Sequence, residues 1–128
     1  MSRSVPDLVL RRVPPARRHL ARALAPDVPD DTGCSWWELV DIAAAPDGTA
    51  TGVALTRTDA EGVARVVALA AVGTADVDPV PRLLLELVAA LRRSDATALE
   101  VRCARPEVLA ELQAEDGELV GDVVVVRF

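Results

Sequence analysis

The sequence predicts an α+β fold: a mixed, mostly antiparallel sheet flanked by helices, in the order β-α-β-β-β-α-β-α-β. Three observations predict it. Three strand-like runs between residues 36 and 72 are separated by the short polar breaks "APDG" and "DAEG", each ending in Gly as hairpin connections do. From Val80 to Arg93 the hydrophobic pattern changes to the period of a helix. The chain closes on "VVVV", an uninterrupted β-branched run that suits a buried strand.

Taken in order, "LVLRRV" (8–13) is a short apolar run closed by Pro14 and Pro15, a first strand ending at a proline turn. "ARRHLARALA" follows, with Leu20, Ala23 and Leu24 on one helical face, Arg17, Arg18 and Arg22 mostly elsewhere, and Pro26 as the stop. Residues 26–33, "PDVPDDTG", are loop by composition. The three central strands are "WWELVDIA" (36–43), "TGVALTRT" (51–58) and "VARVVALAAV" (63–72), most simply an antiparallel meander. "VPRLLLELVAALRR" (80–93) is rich in strong helix formers, with Arg82, Glu86 and Arg93 on one narrow stripe. The rest of that helix is nearly all apolar, so it must be covered on more than one side, by the sheet and by another element or another subunit. "ALEVRC" (98–103) alternates Leu99, Val101 and Cys103 against Glu100 and Arg102, a strand with one wetter face. Pro106 opens a short helix carrying Val108, Leu109 and Leu112, with Gly117 placed to end it. "ELVGDVVVVRF" completes the sheet.

At 128 residues and 51% hydrophobic content, residues 1–128 are expected to form a single domain around an aliphatic core. All fourteen basic residues are Arg, and there is no Tyr. Residues 1–22 carry a net charge of +5 and the remainder −11. An acidic body argues against binding phosphate backbones, leaving the basic segment from Arg3 to Arg22 as an arm for nucleic acid or an acidic protein, or as a solvated helix face. Cys34 and Cys103 match no metal or redox spacing, so free thiols in a reducing cytoplasm are expected. "MSRSVPDLVLRRVPP" lacks a continuous apolar segment, and every later apolar run is interrupted before membrane-spanning length. A soluble, cytoplasmic protein is the expectation.

The order of elements over nearly the whole chain resembles the GNAT superfamily of N-acetyltransferases. "LVLRRVPPARRHLARALAPD" looks like the family's opening strand and helix, and "RPEVLAELQAEDGELVGDVVVVRF" like its last helix and closing strands. The resemblance implies a splayed sheet, acetyl-CoA as cofactor, and a segment of form Arg/Gln-x-x-Gly-x-Gly/Ala between the fourth strand and the next helix. In active members the amides of that segment hold the pyrophosphate. Here the corresponding stretch is "VGTADVDPVPRLLLEL" (72–87). Aligning Val72 with the strand-end Val of the family puts Val77 at the Arg/Gln position, Val80 at the first Gly and Arg82 at the Gly/Ala. All three depart from the pattern, which marks a degenerate member.

The physical consequence follows from the residues. An anion is held at a helix start by free N–H groups and the positive end of the helix dipole, and Pro79 and Pro81 have no N–H to offer. Asp76 and Asp78 add negative charge beside an anionic ligand. Val72, Gly73, Thr74 and Arg82 are the residues left to bind a cofactor. Family chemistry also needs a base and usually a Tyr acid. Glu38, Asp41 and His19 are candidate bases, and Cys103 a candidate acid in place of Tyr; their alternatives are an outward-turned strand residue for Glu38, a surface helix residue for His19 and a small buried apolar residue for Cys103. Trp36 and Trp37 point to opposite faces of a strand, so one enters the core and the other meets a helix, a ligand or a partner. The leading expectation is a GNAT-like domain without cofactor that acts through a protein partner or as a homodimer. The alternative is an acyl-CoA-dependent N-acyltransferase on a small amine or peptide amine, and the deciding feature is whether the gap between the fourth and fifth strands is open and lined by free amides or filled by side chains.

Overall fold

The computed structural model describes residues 8–28, 30–41, 50–72, 79–102 and 106–128. Its elements are β1 (Leu8–Arg12), α1 (Arg18–Leu24), β2 (Cys34–Asp41), β3 (Gly52–Thr58), β4 (Val63–Ala71), α2 (Val80–Arg92), β5 (Ala98–Arg102), α3 (Pro106–Ala114), β6 (Gly117–Val120) and β7 (Val123–Arg127). The seven strands form one sheet in the order β1-β2-β3-β4-β5-β7-β6. Every neighbouring pair is antiparallel except β4 and β5, which are parallel. This is the expected α+β arrangement with one strand added near the C-terminus.

Local chemistry explains the elements. Pro14 is extended (ψ 150°) and Pro15 starts a 3₁₀ turn over Pro15–Arg17, so the first helix proper begins only at Arg18. The β3–β4 turn is closed by Asp59, whose Oδ1 accepts from the amides of Glu61 and Val63, while Gly62 takes a left-handed φ of 87°. The "APDG" break lies outside the described residues. The largest departure from expectation is at residues 115–123. Gly117 does not end α3; Asp116 takes the left-handed turn (φ 67°), and Gly117 opens β6. A Cβ on Gly117 would stand 2.5 Å from the Leu112 carbonyl oxygen, so only glycine lets the strand pass this close to the helix. A second turn at Gly121 (φ 65°) then divides the closing segment into the β6–β7 hairpin.

Both faces of the sheet are packed. α2 and α3 cover one, where Leu83, Leu84, Leu87, Val88 and Leu91 meet Trp37, Leu39, Leu99, Val124, Val126, Val108 and Leu112. Thus α2 is covered by the sheet and by α3, as its nearly all-apolar surface requires. On the other face Ala21 and Leu24 of α1 pack with Val13, Trp36, Val53 and Leu55.

Candidate functional site

The parallel pair β4/β5 is held together only at its start. Thr97 donates its amide to the Gly62 carbonyl (2.8 Å) and its hydroxyl to the Glu61 carbonyl (3.0 Å), and three residue pairs follow, from Val63↔Ala98 to Arg65↔Glu100. Beyond them β4 runs on to Ala71 without β5 beside it. A β-bulge drives the separation: Thr56 pairs with Val66 and Leu55 with Ala68, which leaves Val67 without a partner on β3. Such an extra residue bends a strand and increases its twist. The result is an open cleft of about 590 Å³ walled by Val66–Leu69 on one side and Val101, Arg102 and Val123 on the other. Among the described residues the gap is open rather than filled.

Charge gathers at the closed end of the cleft. Arg65 bridges Asp59 (2.9 Å) and Glu100 (2.8 Å), and these two carboxylates, Asp59 first, raise its pKa further above the ordinary value. It is held as a cation in a three-residue network, while the walls further out are apolar apart from Arg102.

The second part of the site is the start of α2. Pro79 is the N-cap residue, with no side-chain cap, and Pro81 follows within the first turn. Two of the backbone positions that face outward at a helix start therefore carry no N–H. Arg82 turns along the helix: its Nε donates to Glu86 Oε1 (2.9 Å) and its Nη2 reaches the Leu8 carbonyl (3.4 Å). The Val72 amide donates to the Thr51 carbonyl at 2.8 Å, which closes the end of β4 onto the chain ahead of β3. Gly73, Thr74, Asp76, Val77 and Asp78 lie outside the described residues.

The candidate bases are not gathered at the cleft. Glu38 is 2% exposed on the α1 face of β2, so the expectation of an outward-turned residue is corrected. It accepts from Arg11 Nε (2.9 Å) and from Arg17 Nη2 (2.9 Å) and Nε, and desolvation of a carboxylate demands such pairing. β3 lies between β2 and the cleft strand β4. His19 is exposed on α1, Asp41 ends β2 opposite Leu8, and Cys103 lies outside the described residues.

Both tryptophans are packing residues. Trp36 packs on the α1 face and gives its indole N–H to Asp31 (2.7 Å), which Arg22 also holds. Trp37 packs under α2, donates to the Thr56 hydroxyl (2.9 Å), and carries the Arg12 guanidinium 4.4 Å above its ring. Sequence reasoning missed the Arg11–Glu38–Arg17 cluster, although an acid beside an aromatic pair on a central strand signals burial that needs a partner.

Three loop carboxyls are held below their ordinary value of 3.8: Asp31 by the Trp36 indole and then Arg22, Asp59 by the Val63 amide and then Arg65, and Asp30 by Thr32. A depressed folded-state pKa contributes stability above the unfolded value that is lost as pH falls through the folded one. The thermal midpoint is therefore expected to fall as the solution is acidified below about pH 4. In Asp31→Asn and Asp59→Asn the decline should be shallower, measured by circular-dichroism melts across that range.

No protein-family model matches the sequence, and no curated protein does. Solved structures do. A GNAT family acetyltransferase from Brucella melitensis, in complex with acetyl-CoA, superposes with a TM-score of 0.67 at 10% identity, covering 97% of this chain and 90% of that one. The chain has the GNAT fold. The same fold is found in the ribosomal-protein-S18-alanine N-acetyltransferase of Escherichia coli (TM-score 0.66, 10% identity, 94% of this chain and 95% of that one). It is found again in a Bacillus subtilis acetyltransferase in complex with CoA (0.61, 12%, 90% and 79%). Within this GNAT fold the splayed β4/β5 cleft and the start of α2 are the parts that the sequence resemblance associates with a cofactor.

Proposed function

We propose that the chain is a GNAT-fold domain that has lost the acetyl-CoA pyrophosphate grip and acts through protein contacts, without catalysis, in a cytoplasmic setting. The observation that carries this reading is the start of α2, where Pro79 and Pro81 remove two donors and Arg82 is engaged with Glu86. Hydrogen bonds to a charged group contribute about 1.5–3 kcal/mol each. Losing two weakens a diphosphate by at least about a hundredfold, at about 1.4 kcal/mol per tenfold. The burial of Glu38 between two arginines adds support, because it commits a candidate base to the fold.

Titration calorimetry of acetyl-CoA into the protein is expected to show no binding in the micromolar range; a micromolar dissociation constant would overturn the proposal. The open cleft favours a second reading, an acyl-CoA-dependent N-acyltransferase on a small amine or peptide amine. That reading needs Arg82 to leave Glu86 and take the phosphate, since a guanidinium binds phosphate bidentately. Turnover under it collapses in Arg82→Ala, and turnover that survives the change removes the assigned role of this residue.

A further inference from the structure

The two strands that end the sheet among the described residues, β1 and β6, are complementary to each other, and we propose that β1 of one copy pairs with β6 of the next to continue the sheet from chain to chain. An edge strand presents a row of unpaired backbone N–H and C=O groups, and proteins that stay monomeric usually blunt it. Here apolar side chains are exposed on both edges: Val9 (41%) on β1, and Leu119 (46%) and Val120 (53%) on β6.

Charge distinguishes the two edges. β1 carries Arg11 and Arg12 and no acid, whereas β6 carries Glu118 and no base; within the chain Arg11 also pairs with Glu38, and Glu118 with Arg127 of the neighbouring β7. Opposite charges bring unlike edges together and keep like edges apart.

Direction and register agree with this. Because β4/β5 is the one parallel pair in the order, β1 and β6 run in opposite directions. A second copy set beside the first in the same orientation therefore meets β6 with an antiparallel β1. The alignment Val9↔Val120, Leu10↔Leu119, Arg11↔Glu118, Arg12↔Gly117 keeps every side chain on its own face. Leu10 packs with the α2-side core, and Leu119 pairs with Val124 of that same core. Valine then meets valine, leucine meets leucine, and Arg11 meets Glu118, the kinds of cross-strand pair that stabilise sheets.

Self-pairing of either edge is poorer. In a two-fold antiparallel pairing that preserves the faces, Glu118 of β6 meets Glu118 or Val120, and Arg11 of β1 meets Arg11 or Val9. The favoured contact is thus heterologous, and it builds an open chain of copies unless the rotation per copy closes a ring. It extends the proposed role in protein contacts and rests on that reading.

Sedimentation velocity tests it with three proteins: the wild-type chain, Val9→Lys with β1 blocked, and Val120→Lys with β6 blocked. Both replaced side chains are exposed, so both variants keep their fold, and unchanged circular-dichroism melts check this. The wild-type mass is expected to rise with concentration past that of two chains and to fall with added salt. Each variant alone stays monomeric. Mixed in equal amounts, the two form dimers that grow no further, since each supplies the edge the other lacks. A wild-type chain that stays monomeric at millimolar concentration overturns the proposal, as does a single variant that still assembles, or a mixture that stays monomeric. If Val120→Lys lowers the melting point, Glu118→Arg replaces it as the β6 block. Acetyl-CoA binding by an assembling chain sinks only the preceding reading, and a monomer that ignores acetyl-CoA sinks only this one.

Discussion

Glu38→Ala is expected to lower the unfolding free energy by about 3–5 kcal/mol, the cost of breaking a buried ion pair by removing one partner. The side chain of Glu38 is 3% exposed and that of Arg17 is 12%, so the arginine left behind has little direct access to water. Arg11 is more open, at 39%, and regains solvent when its partner goes, which places the effect at the lower end of the range. The damage spreads beyond one pair. Arg11 lies on β1 and Arg17 on the turn into α1, so the carboxylate ties the first strand and the first helix to β2. Glu38→Gln keeps the shape and an acceptor oxygen and should cost less than Glu38→Ala. Urea unfolding of the three proteins measures the order. A Glu38→Ala protein as stable as wild type would show that the cluster adds nothing to the fold and would return Glu38 to the list of possible bases.

Trp37→Ala should cost about 3–5 kcal/mol, as large aromatic truncations in a core do. The indole is 7% exposed, packs beneath α2, and satisfies Thr56, which is itself 2% exposed. Truncation opens a cavity between sheet and helix, removes the donor to a buried hydroxyl, and takes away the surface on which Arg12 rests. Trp37→Phe retains most of the volume and loses the hydrogen bond, for a smaller cost of about 1–2 kcal/mol. Denaturant unfolding followed by far-ultraviolet circular dichroism reads both. A Trp37→Ala protein with wild-type stability but weakened self-association would instead assign the residue to an interface.

The element order was legible because its signals are local. Proline and glycine punctuate the chain at Pro14, Pro15, Gly62 and Pro79, and the change of period at Val80 marks α2 within a residue or two. The β6–β7 hairpin was not legible. Its turn sits inside an apolar run, and Gly117 looks like a helix stop until the 2.5 Å approach to Leu112 shows that it serves a close crossing. At the candidate site the two prolines were readable directly, since a missing N–H is a property of the residue. That Arg82 would turn to Glu86 and the Leu8 carbonyl was not, because one of those partners is 74 positions away. The fate of the two tryptophans was half legible: alternation assigns them to opposite faces, but only the packing of α1 and α2 shows that both faces are covered.

What the sequence determined by itself is the set of elements apart from the β6–β7 division, their order, the loss of donors before α2 and the contrast in charge between residues 1–22 and the remainder. Each depends on residue type or on spacing within a few positions. Only the tertiary structure decided that β4 and β5 part after three pairs, that Glu38 is enclosed by Arg11 and Arg17, and that β1 and β6 lie on opposite edges of one sheet. Those features arise from contacts between residues far apart in the chain, which side-chain periodicity does not encode.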